Sequence, residues 1–500
     1  MASNLTIPFK SQRVCSNCRK WKKQCDKTIP RCSRCVRKSI LCDYTAPIDN
    51  HFIHNHRPRP NLAATTNIVE LRADCCPPGL TEVGWSLLLE IACSSVDMRG
   101  EATTLSAVIR KVLEDSGTNP SDATSKFVAT IYPWFPILNQ ATLTRLIDWS
   151  ENENPDGSLA FLLLCMHILN QWPCQHQPRM TDNSLYIAAR RLFFFLQDTV
   201  NPSPEELLQA GILITLYECS HGIWNAAYVT LANCIALSQL AGASYVDNFS
   251  SHDNTMENTS YWGIILLDRL ISLLNPDNPR PSLIAYNESQ HDMSWLGQLG
   301  SLAAADESFS DFPGLVKFHV TAQTAYNVGD ALRYIANPGG VFATTQWFNL
   351  TDSSTTKIVN KLLLISQDQP LRLCDATSFA ISVLVSLRRT DHLEKPLETQ
   401  VNSAKVLSLN SSLNMVHEIV RTTTKSTTDK HIGDHSFIGI VSVLRAGIYL
   451  AMIRGQSLDI KDWDEIEALL LPFSKRWGVG VQLLKEFTQH KQATWPEASS

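Results

Sequence analysis

The chain has 500 residues, 44% hydrophobic and only 18% charged, and its 43 basic and 48 acidic residues leave a net charge of −5. Soluble proteins average about 25% charged residues and disordered chains combine high charge with few apolar residues, so a largely disordered chain is excluded and a large buried core is expected. The longest apolar run, Leu159 to Leu169, falls well short of the roughly 18 residues that cross a bilayer, and Met1 to Lys10 has no basic-then-apolar leader pattern, so an intracellular protein with no membrane partner is expected.

The charge is concentrated at one end. Between Lys10 and Tyr44 stand eleven basic and two acidic residues, a net of +9 that leaves −14 for everything else. A compact basic module on an acidic chain points to a polyanion as the partner of the module alone. Six of the fourteen cysteines fall in the same segment: Cys15, Cys18, Cys25, Cys32, Cys35 and Cys42, spaced C-x2-C-x6-C-x6-C-x2-C-x6-C. The pattern is an internal repeat whose halves, Cys15 to Cys25 and Cys32 to Cys42, are joined by Asp26 to Arg31. In each half a serine, Ser16 or Ser33, is expected to cap a short helix.

Three chemistries compete for these cysteines. A disulfide framework is disfavoured in a reducing compartment, and a redox C-x-x-C accounts for one pair but not for six in register. Zinc needs four ligands per ion, and six thiolates satisfy two ions only if two thiolates bridge. The spacing therefore implies a binuclear cluster of two Zn²⁺. The apolar residues of the module are too few to fold it without metal.

Cys15 to Cys42 resembles the binuclear zinc cluster of fungal transcription factors. The resemblance implies that Cys15 and Cys32 bridge the ions and that Pro30 turns the chain between the halves. It implies two short helices stapled by metal and a double-stranded DNA partner. In that family the lysine four residues after the second cysteine reads the guanines of a CGG triplet, a position held here by Lys22, and Arg19 matches the arginine directly after that cysteine. The first helix, Arg19 to Gln24, carries Arg19, Lys20, Lys22 and Lys23, with Arg19, Lys22 and Lys23 expected on one helical face as the DNA-binding strip. The second, Val36 to Leu41, is more apolar and is expected to be the packing partner. Trp21 departs from the family's basic residue and Gln24 from its lysine; Trp21 is expected to pack on the second half rather than lie against the sugar–phosphate backbone. Two zinc ions with six thiolates lower the module's charge to about +7.

Residues 45–80 read as a flexible linker, with Arg57-Pro58-Arg59-Pro60 and Pro77-Pro78-Gly79 and no sustained heptads, so a coiled-coil dimer through this segment is not expected. His51, His54 and His56 are read as a solvated loop. From residue 81 to the end the pattern is that of a large all-α domain. Helices are expected over Glu205–Leu216, Ala226–Leu240 with a stop at Gly242, and Tyr261–Leu274 with a stop at Asn275-Pro276. Arg421 to Lys430 is expected to be a Thr/Ser-rich loop. Leu458 to Glu467 reads either as an acidic-hydrophobic activation segment or as an amphipathic helix with Asp462 in its first turn. No nucleotide-binding, metalloprotease or nucleophile-elbow motif occurs, and no enzyme is expected.

The body resembles the fungal-specific transcription factor, or middle homology, domain through Tyr132 to Leu138, Leu213 to Gly222, Tyr261-Trp262, Leu267-Asp268-Arg269 and Asn278 to Leu283. Asp268-Arg269 is read as a structural pair, and Trp134 and Trp262 as core anchors. Residues 11–44 are thus expected to bind DNA in the nucleus, and residues 81–500 to regulate, to form a homodimer or to recruit coactivators. The alternative is a sensor whose helical body binds a small-molecule inducer. A pathway-specific regulator, such as one serving a secondary-metabolite gene cluster, fits the resemblance.

Overall fold

The computed structural model describes residues 14–15, 18, 20–27, 32–38, 101–150, 157–172, 183–197, 204–240, 258–275, 280–284, 314–340, 344–366, 373–394, 402–426, 435–455 and 458–494. The linker over 45–80, with its histidines and Cys75-Cys76, lies outside them. The chain divides into two units, Met1–Ile68 and Val69–Ser500. The first holds the cysteine module and one short helix, α1 (Ser33–Arg37). In the second, every regular element among the described residues is helical.

The N-terminal part of the body contains α2 (Glu101–Asp115), α3 (Pro120–Thr130), α4 (Gln140–Ile147), α5 (Gly157–Asn170), α6 (Ser184–Gln197), α7 (Pro204–Ser220), α8 (Trp224–Leu240) and α9 (Thr259–Leu274). Asparagines start several of these helices: the side chains of Asn119, Asn139 and Asn258 accept from Asp122, Thr142 and Tyr261 N–H groups, and Pro120 follows Asn119 at the first helical position. Helices α5 and α7 are apolar all round and buried along nearly their whole length, which places them in the core. Around α7 pack α5, α6, α8 and α9.

The C-terminal part is organised in the same way around α13 (Cys374–Glu394), which packs against α10 (Leu315–Asn327), α11 (Gly329–Ala336), α12 (Thr345–Ser366), α14 (Asn402–Ser426) and α15 (Phe437–Arg454). Helices α16 (Ile460–Arg476) and α17 (Gly478–Thr494) close against α14 and α15, and the two parts meet where α9 packs on α10. Gly314 begins α10 with φ of +110°, and a Cβ there would lie 2.0 Å from the Pro133 carbonyl oxygen, so only glycine fits. By length and composition α15 could cross a membrane, yet 83% of it is buried inside the bundle.

The three helices expected between residues 205 and 274 are present, each one to four residues longer at an end. Trp134 and Trp262 are buried. Asp268 and Arg269 form a clamp rather than a reactive pair. Arg269 Nη1 donates to Asp268 Oδ2 at 2.6 Å and to the Ser282 hydroxyl, while the Leu283 N–H donates to Asp268 Oδ1 at 2.9 Å. The clamp holds residues 282–284 against the end of α9. One expectation is corrected and one alternative decided. Residues 421–426 are not loop but the last turns of α14, where Thr424 donates to the Val420 and Glu465 carbonyl oxygens. Of the two readings of residues 458–467, the helix is observed: α16 starts at Ile460, the Asp462 carboxylate accepts from the Asp459 N–H at 3.2 Å, and Trp463 and Ile466 are buried.

Candidate metal centre and nucleic-acid interface

Among the described residues the module has no hydrocarbon core. Its buried residues among those described are Cys15, Cys18, Cys32 and Cys35, with Cys25 packed against them. Val14, Trp21 and Val36, its other described apolar side chains, are 37%, 65% and 54% exposed. The interior is therefore made of sulfur.

Three local features build it. Cys18 and Lys20 have helical backbone, and the helix ends at once: the Lys23 N–H donates to the Cys18 carbonyl at 2.9 Å, and Lys22 takes the left-handed φ of +49° that such a helix end requires. Lys27 is the second left-handed residue, at +61°, and the segment between the two returns Cys25 to the cluster. In the second half Cys32 caps α1, its sulfur accepting from the Cys35 N–H at 3.4 Å. Asp26 ties the halves together, accepting from the Ser33 N–H at 3.1 Å and from the Ser33 hydroxyl.

The sulfur spacings fit zinc. With Zn–S bonds of ~2.3 Å, a tetrahedral ion sets its sulfurs ~3.8 Å apart. Cys15 Sγ lies 3.8 Å from Cys32, 3.7 Å from Cys35 and 3.9 Å from Cys25, and Cys32 Sγ lies 3.7 Å from Cys18. Cys15 and Cys32 thus touch each other and sulfurs of the opposite half. Burial opposes ionisation of Cys32, but the Cys35 N–H and the surrounding thiols outweigh it and hold its pKa below the ordinary thiol value, whereas burial pushes Cys18 up. Cys42 lies outside the described residues.

The basic strip differs from expectation. Arg19 lies outside the described residues. Lys20, Lys22 and Lys23 are exposed, but the helix ends before Lys22, so Lys22 and Lys23 sit on a turn and not on a helical face. No described residue pairs with their side chains. Trp21 is 65% exposed rather than packed, and no contact joins it to the described residues of the second half. Helix α1 begins at Ser33 and is capped at Lys38, earlier than the expected Val36–Leu41, and Val36 is exposed rather than packed. Ser33 is not the cap; the Cys32 sulfur has that place, because the hydroxyl is committed to Asp26. The tie through Asp26 was missed in the sequence, although the repeat carries its signal: an aspartate follows the last cysteine of each half, Asp26 after Cys25 and Asp43 after Cys42.

Residues 13–51 match the fungal Zn(2)-Cys(6) binuclear cluster domain. That span holds all six cysteines and the basic turn, so the module is a zinc-binding cluster. The chain is also 28% identical, over 131 residues, to transcription factor BOA15 of Botryotinia fuckeliana (strain B05.10), an overlap covering 26% of this chain and 69% of that protein. No solved structure is significantly similar to the chain.

Outside the module, His417, Asp462 and Glu465 converge on the body's surface, with His417 Nε2 2.8 Å from Asp462 Oδ1. Arg421 lies 3.8 Å from Glu465 and Asp462 is occupied in capping α16, so the group is explained as a helix-to-helix contact between α14 and α16.

Proposed function

We propose that the protein is a zinc-dependent, sequence-specific DNA-binding transcription factor acting in the nucleus on RNA polymerase II genes through CGG-type sites. The observation that carries this is the placement of Lys20, Lys22 and Lys23, exposed and without carboxylate partners among the described residues, on a turn anchored by Cys18 and Cys25 of the sulfur core. Zinc supplies the fixed geometry that such a small module cannot obtain from apolar burial. Cys15, Cys18, Cys25, Cys32, Cys35 and Cys42 hold two Zn²⁺, with Cys15 and Cys32 shared. Lys22 reads adjacent guanine O6 and N7 acceptors in the major groove, and Arg19, Lys20 and Lys23 contact phosphates. The helical body is the regulatory part, through which the protein dimerises or recruits coactivators, and a pathway-specific role is the narrower form of the same reading.

In-vitro selection of duplex DNA by the full-length chain tests this, with zinc counted by mass spectrometry. The expected result is enrichment of CGG motifs, two zincs per chain and loss of binding on chelation. Two zincs with no enriched sequence would overturn the reading.

A further inference from the structure

We propose that Trp21 is a DNA-contacting residue whose indole packs on the deoxyribose face of the strand that the neighbouring lysines engage. This rests on the DNA-binding reading above and goes beyond it by adding an uncharged contact. A tryptophan is the largest apolar side chain available, and 65% of this one faces solvent in a module whose described buried residues are all cysteines. Its immediate neighbours, Lys20 and Lys22, are exposed cations with no partner among the described residues, and Lys23 and Gln24 beyond them are exposed too. The ring cannot be an anchor of the module, because the turn is already fixed by the Lys23-to-Cys18 hydrogen bond at 2.9 Å and by the sulfurs on either side. A polyanion drawn to those lysines must pass over the indole. The turn that carries the ring is set by the Lys23-to-Cys18 hydrogen bond and the left-handed Lys22, so the backbone loses little freedom when the ring is covered. Beside phosphates, the apolar surface that a nucleic-acid strand offers in every sequence is its sugar, and covering the ring there removes it from water without displacing a counterion.

The contact has a signature that separates it from the lysines. A residue that neutralises a phosphate changes the slope of log affinity against log salt, whereas an uncharged residue lowers affinity and leaves the slope alone. The test uses the full-length chain and a set of duplexes with and without a CGG triplet, titrated at several salt concentrations. Trp21→Ala is expected to keep two zincs per chain and to bind every duplex roughly tenfold more weakly with an unchanged salt slope. Trp21→Phe should recover most of that loss, and Trp21→Arg should recover affinity while steepening the slope by about one charge. Wild-type affinity in Trp21→Ala would overturn the proposal, as would a loss confined to one base at one position, which is a base-edge contact. If the wild-type chain binds no duplex even at low salt, the DNA-binding reading itself falls, and this inference with it.

Discussion

The two units reach a single folded state by opposite means. In the body, helices such as α5, α7 and α15 bury apolar side chains on every face, and buried arginines such as Arg269 and Arg388 are held by clamps with carboxylates and hydroxyls. In the module the described apolar side chains face water and the described thiols face inward. The first arrangement is stabilised by removing hydrocarbon from water. The second is held only where something joins the sulfurs, since buried thiols without metal offer little more than weak contacts. The comparison separates what the two units depend on: metal for one, packing and buried charge for the other.

The largest effect expected is therefore metal removal. Chelation should abolish DNA binding, by at least about a thousandfold, because the free energy of zinc binding is the folding free energy of the module. Helical circular dichroism and the thermal midpoint of the body should stay unchanged. A midpoint that falls with chelator would break the comparison by showing that the body needs the metal too.

Within the module, the proposed sharing of Cys15 and Cys32 can be tested. Cys32→Ala should lose both zincs, since its sulfur lies against Cys15 and Cys18 of the other half and groups with Cys35 of its own, while Cys18→Ala should retain one ion with lower affinity. Equal zinc content in the two variants would remove the case for sharing.

In the body, the sharpest probe is Glu218, buried on α7 and hydrogen-bonded by the Tyr186 hydroxyl at 2.8 Å, with Arg190 Nε 3.0 Å away. Burial, only partly offset by these partners, raises its pKa to about 7. The folded state then keeps a proton that the unfolded chain releases, so this contribution is fully present below the ordinary carboxylate pKa. It is lost as the pH rises to about 7 and is constant above. Urea unfolding should show the body weakening by about 1–3 kcal/mol between roughly pH 5 and pH 8, and Glu218→Gln should flatten that slope. An unchanged slope in the variant would assign the pH dependence elsewhere.

The smallest and most discriminating pair is at Lys22. Lys22→Ala removes the side chain and keeps the left-handed backbone, so it should retain two zincs and lose about 1–3 kcal/mol of discrimination for CGG. Lys22→Gly removes the same side chain but relieves a φ of +49°, and should bind DNA as poorly while stabilising the turn by about 1 kcal/mol. Wild-type DNA affinity in both variants would refute the role given to Lys22.

How much of this was legible depended on how local each cause was. Helices α7, α8 and α9 could be read because long apolar runs end in strong stops, such as Asn275 after α9. The cysteine repeat could be read because spacing alone specifies it. The basic turn was misjudged as helix because Arg19 to Gln24 has good helical composition, and only the return of Cys25 to the cluster forces the backbone over at Lys22. The Thr/Ser-rich end of α14 was misjudged for the converse reason: poor helix formers stay helical where Thr424 finds the Glu465 carbonyl of a distant helix. Buried arginines whose partners lie on distant helices were illegible, unlike Arg269 beside Asp268. Arg388 on α13 bonds Asp352 on α12 and both Ser408 and Ser412 on α14, an arrangement no window of sequence displays.

Arg476 carries that point further. From the end of α16 it donates to the carbonyl oxygens of Leu169 and Gln171 at the end of α5, and its guanidinium lies over Trp172 and Trp477. Those carbonyls are the open end of a helix made early in synthesis, and their partner is translated some three hundred residues later. A ribosome therefore releases an N-terminal half whose most apolar helix is still unfinished at its end, and a stop codon anywhere before residue 476 leaves it so. Chains that stop short of Arg476 should accordingly be substrates for chaperones and proteases rather than smaller working proteins, with α16 acting as the latch on the end of α5.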